Sequence, residues 1–163
     1  MRAAVLSDSH GDTYDMMRLF ESMDGVDLIF FLGDITNDVI WFKKEMQTRG
    51  VNIPIYSVKG NNDVMSREPE SMTIGMEEQT IFLTHGHLYG VKQGTERLAH
   101  AARMAGAGIA LFGHTHTRYA SFEHGAFLLN PGAVCGCYPS LKKSAAILEV
   151  TGKKMTYSFL DLD

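Results

Sequence analysis

Short apolar runs alternate with amphipathic stretches along the first part of this chain, and few architectures accept that alternation. Residues 3–7 (AAVLS) read as a buried strand. Residues 13–23 place Met16, Met17, Leu19, Phe20 and Met23 at helical spacing, behind a candidate N-cap at Asp12. Residues 28–32 (LIFFL) read as a second strand. Residues 38–50 read as a second helix that Gly50 is placed to end, and residues 53–58 as a third strand. Strand–helix–strand–helix–strand at this spacing predicts βαβ units and a parallel sheet.

The rhythm then changes. Residues 71–75 and 79–85 look like a hairpin around Met76–Glu78, followed by a helix over 92–104 and a strand over 108–112. The last part is rich in strands (RYASFE, AFLLN, SAAILEV, MTYSFLD) separated by turn signals such as NPG and TGKK. These late strands either complete the first sheet or build a second one against it. At 163 residues, with no linker or repeat, the expectation is a single domain spanning 1–163.

Polar residues with metal-binding chemistry fall at the ends of the predicted strands. Asp8 and His10 follow strand 3–7; Asp34 follows 28–32; Asn61 follows 53–58; His85 follows 79–84; His114 and His116 follow 108–112. In an open α/β sheet the carboxyl ends of the strands form the ligand-binding edge. The expectation is that all seven converge on one such edge. Helix capping explains an aspartate after a strand. It does not explain His10, Asn61, His85, His114 and His116 in the same relative place. Two Asp, one Asn and four His make an oxygen–nitrogen set with no thiolate. Such a set suits manganese, iron, zinc or nickel better than calcium or magnesium. Seven donors exceed one four-coordinate site and suit two ions that share a carboxylate.

Charge and targeting signals narrow the function classes. A net charge of −4 argues against general attraction to nucleic acid or an anionic membrane. The two cysteines, Cys135 and Cys137, make no disulfide framework, and two thiols do not complete a tetrahedral metal site. No stretch has the length of a signal-peptide core or a membrane span. The expected location is cytoplasmic.

The blocks DSH (8–10), GDITND (33–38), GNND (60–63), THGH (84–87) and GHTH (113–116) occur in the order of the calcineurin-like metallophosphoesterase signature, and the chain resembles that superfamily. NPGA (130–133) resembles its usual NPGS. The compact size resembles the small YfcE-type phosphodiesterase branch, which also contains a eukaryotic retromer subunit that serves as a scaffold. The resemblance implies a four-layer α/β/β/α sandwich, two mixed β-sheets with helices outside. It implies two divalent metal ions, manganese first, with nickel, iron or zinc as alternatives. Asp8, His10, Asp34 and His116 would hold one ion; Asp34, as the bridge, with Asn61, His85 and His114 would hold the other. The implied reaction is hydrolysis of a small phosphoester, most simply a phosphodiester, by a metal-bridging hydroxide. The alternatives are a phosphomonoesterase acting on nucleotides or sugar phosphates, or a non-catalytic protein-binding scaffold. Among partners, a homo-oligomer is open; stable nucleic-acid or membrane binding is not expected.

The third block departs from the superfamily's GNHD: Asn62 stands where a histidine often protonates the leaving oxygen. An amide donates a hydrogen bond but is no acid near neutral pH. The expectation is a preference for activated aryl phosphodiesters over alkyl phosphomonoesters. Catalytic candidates are Asp34, Asn61 and His87, the last a spare imidazole in THGH that could act as an acid or only support its neighbours. Asp63 is expected to orient neighbouring groups.

Overall fold

The computed structural model describes residues 1–162. Strand β1 (Arg2–Leu6), helix α1 (Thr13–Glu21), β2 (Leu28–Phe31), α2 (Thr36–Thr48) and β3 (Ile55–Ser57) follow in the predicted order. The hairpin β4 (Ser71–Met76) and β5 (Gln79–Thr84) comes next, then a 3-10 turn (His87–Tyr89) and α3 (Glu96–Met104). The rest is β6 (Ile109–Leu111), β7 (Arg118–Glu123), β8 (Ala126–Pro131), β9 (Lys143–Thr151) and β10 (Lys154–Leu162).

The late strands do both things open to them. β9 and β10 complete the first sheet, in the order β10-β9-β1-β2-β3, while β7 and β8 build a second, β4-β5-β6-β8-β7. Within the first sheet β1, β2 and β3 are parallel, and within the second β5, β6 and β8 are parallel.

Period-two alternation sends each strand's side chains to opposite faces. Ala3 and Val5 of β1 point into a core shared with Ile81, Leu83, Ile109 and Leu111 of the second sheet. Ala4 and Leu6 point the other way, against Met16, Leu19, Phe42 and Met46 of α1 and α2. α3 covers the far face of the second sheet through Leu98, Ala99 and Ala102. The result is the expected α/β/β/α sandwich. Both faces of β1 and β2 are buried, which is why they read as continuous apolar runs.

Three elements start two or more residues away from expectation. β3 starts at Ile55 rather than 53, because Pro54 has no N–H to give a ladder. α2 runs from Thr36 to Thr48, two residues earlier than predicted, because its cap comes from elsewhere in the chain: Asp63 Oδ1 accepts from the Thr36 N–H at 2.6 Å. α3 starts at Glu96 rather than 92, since the 3-10 turn and the residues through Gly94 intervene. Asp12 does cap α1, accepting from the Asp15 N–H at 3.2 Å. Among the described residues no helix is long and apolar enough to cross a membrane.

Candidate metal centre

Six of the seven strand-end donors, all but Asn61, gather, with one correction to their placement. Asp8, His10, Asp34 and Asn61 come from loops after strands of the first sheet; His85, His114 and His116 come from loops after β5 and β6 of the second. The cluster therefore sits where the carboxyl ends of two stacked sheets meet, rather than on one sheet's edge. Stacking explains how so many groups converge: loops from one sheet fan out along it, whereas loops from two sheets face each other.

The backbone is bent to make this possible. Asp8, His10, Asp34, His114 and His116 all have positive φ, between 45° and 68°. Such conformations cost a non-glycine residue roughly 1–3 kcal/mol each and persist only where surrounding contacts impose them. Two glycines make room. A Cβ on Gly60 would stand 2.0 Å from Asp34 Oδ1, and one on Gly113 would stand 2.7 Å from Asp8 Oδ2.

Two carboxylates form the floor. Asp8 is fully buried, and its Oδ2 accepts from Ser7 Oγ at 2.5 Å and from the His114 N–H at 3.1 Å. Its Oδ1 lies 3.1 Å from His116 Nε2, 3.8 Å from His10 Nε2 and 3.9 Å from His85 Nε2, yet receives no hydrogen bond. Asp34 is also buried; it accepts from the Asn62 N–H at 2.9 Å and from Asn62 Nδ2 at 2.7 Å. Asp63 does the orienting expected of it: Oδ2 accepts from the N–H groups of Asp34 and Gly60, at 2.9 and 2.8 Å.

The imidazoles close over this floor. His85 Nδ1–H donates to the Leu32 carbonyl at 2.7 Å, which turns Nε2 toward Asp34 Oδ2, 3.4 Å away. The proton on Nδ1 follows because a carbonyl only accepts. The His114 ring stands 5.1 Å from the His85 ring, and the Nε2 atoms of His10 and His116 are 3.4 Å apart. Asn61 is in the turn after β3, exposed, and among the described residues no hydrogen bond joins its side chain to the cluster. His87 lies at the edge, 5.4 Å from the His85 ring and 6.1 Å from that of His114, with Nε2 3.8 Å from Glu70 Oε2.

Charge and burial set the protonation states. Burial pushes the Asp8 carboxyl upward, but the histidines around it outweigh that and hold it well below the usual range. Burial opposes Asp34 too; His85 and the Asn62 donors hold it at about 2. The Asp8 carboxylate raises His10. Burial opposes the His85 charge, but Asp34 and Asp8 raise it. Burial and the neighbouring His85 lower His114 to about 4, and the same two causes lower His87.

These residues fit a metal. The buried Asp8 Oδ1 and His85 Nε2 have no hydrogen-bond partner. Buried polar atoms are rarely left so. Ligand atoms of Asp8, Asp34 and His85 lie within 4.8 Å of one another. A histidine whose other nitrogen is fixed by a carbonyl is the usual metal-ligating arrangement.

Sequence reasoning missed three supports. Asp38 Oδ2 accepts from Ser9 Oγ at 2.6 Å and the Gly11 N–H at 2.8 Å, fixing the DSH loop. Asn130 Nδ2 donates to the Gly113 carbonyl at 2.8 Å, so NPGA holds the GHTH loop. Lys143 Nζ bonds Asp12 at 2.7 Å and also Asp15, which ties the start of β9 to α1. The last point of difference is Cys135 and Cys137, which are bonded to each other. That bond joins residues two apart and links no distant segments.

The family model described as the calcineurin-like phosphoesterase superfamily domain matches residues 1–153. A probable metallophosphoesterase of Bacillus subtilis, YsnB, is 29% identical over 163 residues, covering 99% of this chain and 91% of that protein. A protein named phosphodiesterase from Methanocaldococcus jannaschii is 23% identical over 152 residues, covering 83% of this chain and 86% of that one. The solved structure of Vps29 from Chaetomium thermophilum superposes with a TM-score of 0.80 at 16% identity, covering 99% of this chain and 89% of that one.

Proposed function

This chain belongs to the calcineurin-like phosphoesterase superfamily, and from that premise we propose that it is a dinuclear metal-dependent phosphodiesterase. The observation that carries the reading is the pair of unpartnered buried atoms, Asp8 Oδ1 and His85 Nε2, beside the Asp34 carboxylate. Asp8, His10, Asp34 and His116 would hold one ion, and Asp34, Asn61, His85 and His114 the other. Manganese fits this mixed donor set, as do nickel, iron and zinc. Bound there, the cations supply positive charge to the phosphate and acidify water.

The chain's own groups do the rest. Asp34 balances charge on both sides of the cluster and is the residue whose loss matters most. Asp63 fixes the backbone N–H of Asp34, and Ser7 with the His114 N–H fixes one oxygen of Asp8. Asp8 thus keeps a set direction without spending its inward oxygen. Asn62 donates two hydrogen bonds to Asp34. It steadies that carboxylate but brings no proton to a leaving oxygen. His87 is the remaining candidate acid, and burial holds it mostly neutral near pH 7, which suits a hydrogen-bonding contact to substrate better than proton donation.

The substrate preference follows. Without a strong acid, leaving groups that need no proton are favoured. The relative named a phosphodiesterase supports the diester reading. A protein-binding scaffold has support from the shared fold of Vps29, but all seven candidate donors are present in this sequence. With manganese-loaded protein, an aryl phosphodiester should be hydrolysed faster than an alkyl phosphomonoester. The reverse order would turn the reading to a monoesterase, and metal-loaded protein without turnover on either would turn it to the scaffold.

A further inference from the structure

We propose that Cys135 and Cys137, once reduced, join His10 and His116 in a second, thiolate-containing site for a thiophilic divalent cation such as zinc. One donor atom from each of the four residues lies within 4.8 Å of the others. Tetrahedral zinc, with Zn–N near 2.0–2.1 Å and Zn–S near 2.3 Å, spaces its ligand atoms about 3.3–3.8 Å apart. The two imidazoles already meet that spacing, with Nε2 atoms 3.4 Å apart. Two cysteines alone do not complete the tetrahedron; the fold brings the missing pair to them.

The cysteine loop is held against the cluster rather than loosely nearby. Val134 N–H donates to the Ser7 carbonyl at 3.0 Å, and Cys135 N–H donates to the Asp8 carbonyl at 3.1 Å. Tyr138 stacks edge-on to His116, with centroids 5.2 Å apart. Lys143 lies over Gly136, tethered by Asp12 and Asp15. Cys135 is buried and Cys137 is exposed, so a reductant can reach the pair from one side.

The chemistry is a switch between two states. In the bonded state both sulfurs are committed to each other. A dithiol delivers two electrons and two protons, breaks the S–S bond to give two thiols, and leaves as its own cyclic disulfide. Binding of zinc then releases both thiol protons, because thiolate is the ligand form. An ion so held would take His10 and His116 as its ligands, which leaves the carboxylate centre without two imidazoles. The donor sets differ in kind: the centre around Asp34 has no sulfur, whereas this one is a Cys2His2 set, which zinc favours.

Cobalt(II) reports the site without any assay of turnover, so failure here is distinct from failure of the hydrolase reading. The intact chain is reduced with a phosphine, freed of reductant, and titrated with cobalt beside an oxidised sample. Reduced protein should show about two reactive thiols and a near-ultraviolet thiolate-to-cobalt charge-transfer band that zinc abolishes. Oxidised protein and Cys137→Ser should both lack the band. A reduced protein that binds cobalt without it, a Cys137→Ser variant that keeps it, or a pair that no phosphine reduces would each overturn the proposal. The comparison of reduced with oxidised wild-type protein decides the matter even if the variant fails to fold.

Discussion

The two sheets furnish the cluster in different ways. The first contributes both carboxylates, each held by hydrogen bonds: Asp8 Oδ2 has two donors while Oδ1 has none, and Asn62 donates to both oxygens of Asp34. The second contributes imidazoles with a lighter grip. His85 is anchored through Nδ1 to Leu32, but His116 Nδ1 is buried without a partner, and no side-chain hydrogen bond fixes the His114 ring among the described residues. The difference teaches where precision is needed. Carboxylates carry the charge that opposes a cation, so their direction is set by hydrogen bonds. Imidazoles are neutral ligands that turn to meet an ion, and the positive φ of His114 and His116 brings their rings near enough to do so.

That contrast can be broken most sharply at Asp34. Asp34→Asn keeps the shape and removes the shared charge, so hydrolysis should fall by at least about 10²–10³-fold, the scale for losing a preorganised electrostatic group. Metal analysis should show both ions weakened together. If only one is lost, Asp34 does not bridge.

Asp63→Ala tests the clamp rather than the ligand. It frees the N–H groups of Asp34, Gly60 and Thr36 while leaving every proposed metal donor in place. Metal affinity or activity should fall about 10–100-fold, with a lower melting temperature because α2 loses its cap. A variant that melts lower but keeps full metal affinity would assign Asp63 to helix capping alone.

The smallest effect is the acid limb of stability in metal-free protein. Asp34 titrates at about 2 in the folded chain, below its ordinary value of 3.8. The unfolded state therefore binds more protons between these values. Asp34 contributes stability above pH 4 and loses it as pH falls toward 2, a change of about 2 kcal/mol. Thermal melts of wild-type and Asp34→Asn protein between pH 5 and 2 should converge at the acid end. Parallel curves would remove Asp34 from the account of acid stability.

Much of this was legible in the sequence, for reasons that also mark the limit. Strands β1 and β2 are buried on both faces, so their apolar runs are continuous and readable. The ligand candidates stand where those runs stop. Partnership across the sheets was not legible, because DSH and GHTH carry no mark of which sheet will hold them. The cap on α2 was hidden for the same reason, coming from Asp63 far along the chain. The left-handed backbone at Asp8, His10 and Asp34 has no glycine to announce it. Trp41 is 42% exposed beside an exposed Ile40, since the apolar stripe of α2 runs through Val39, Phe42 and Met46.

The most direct test counts metal in purified protein loaded with manganese, with the Cys135–Cys137 bond intact, and follows hydrolysis of an aryl phosphodiester in the same sample. The account predicts about two manganese ions per chain and turnover that disappears with a chelator and returns on reloading. Folded protein that takes up no transition metal, or that hydrolyses the diester equally well without one, would contradict it.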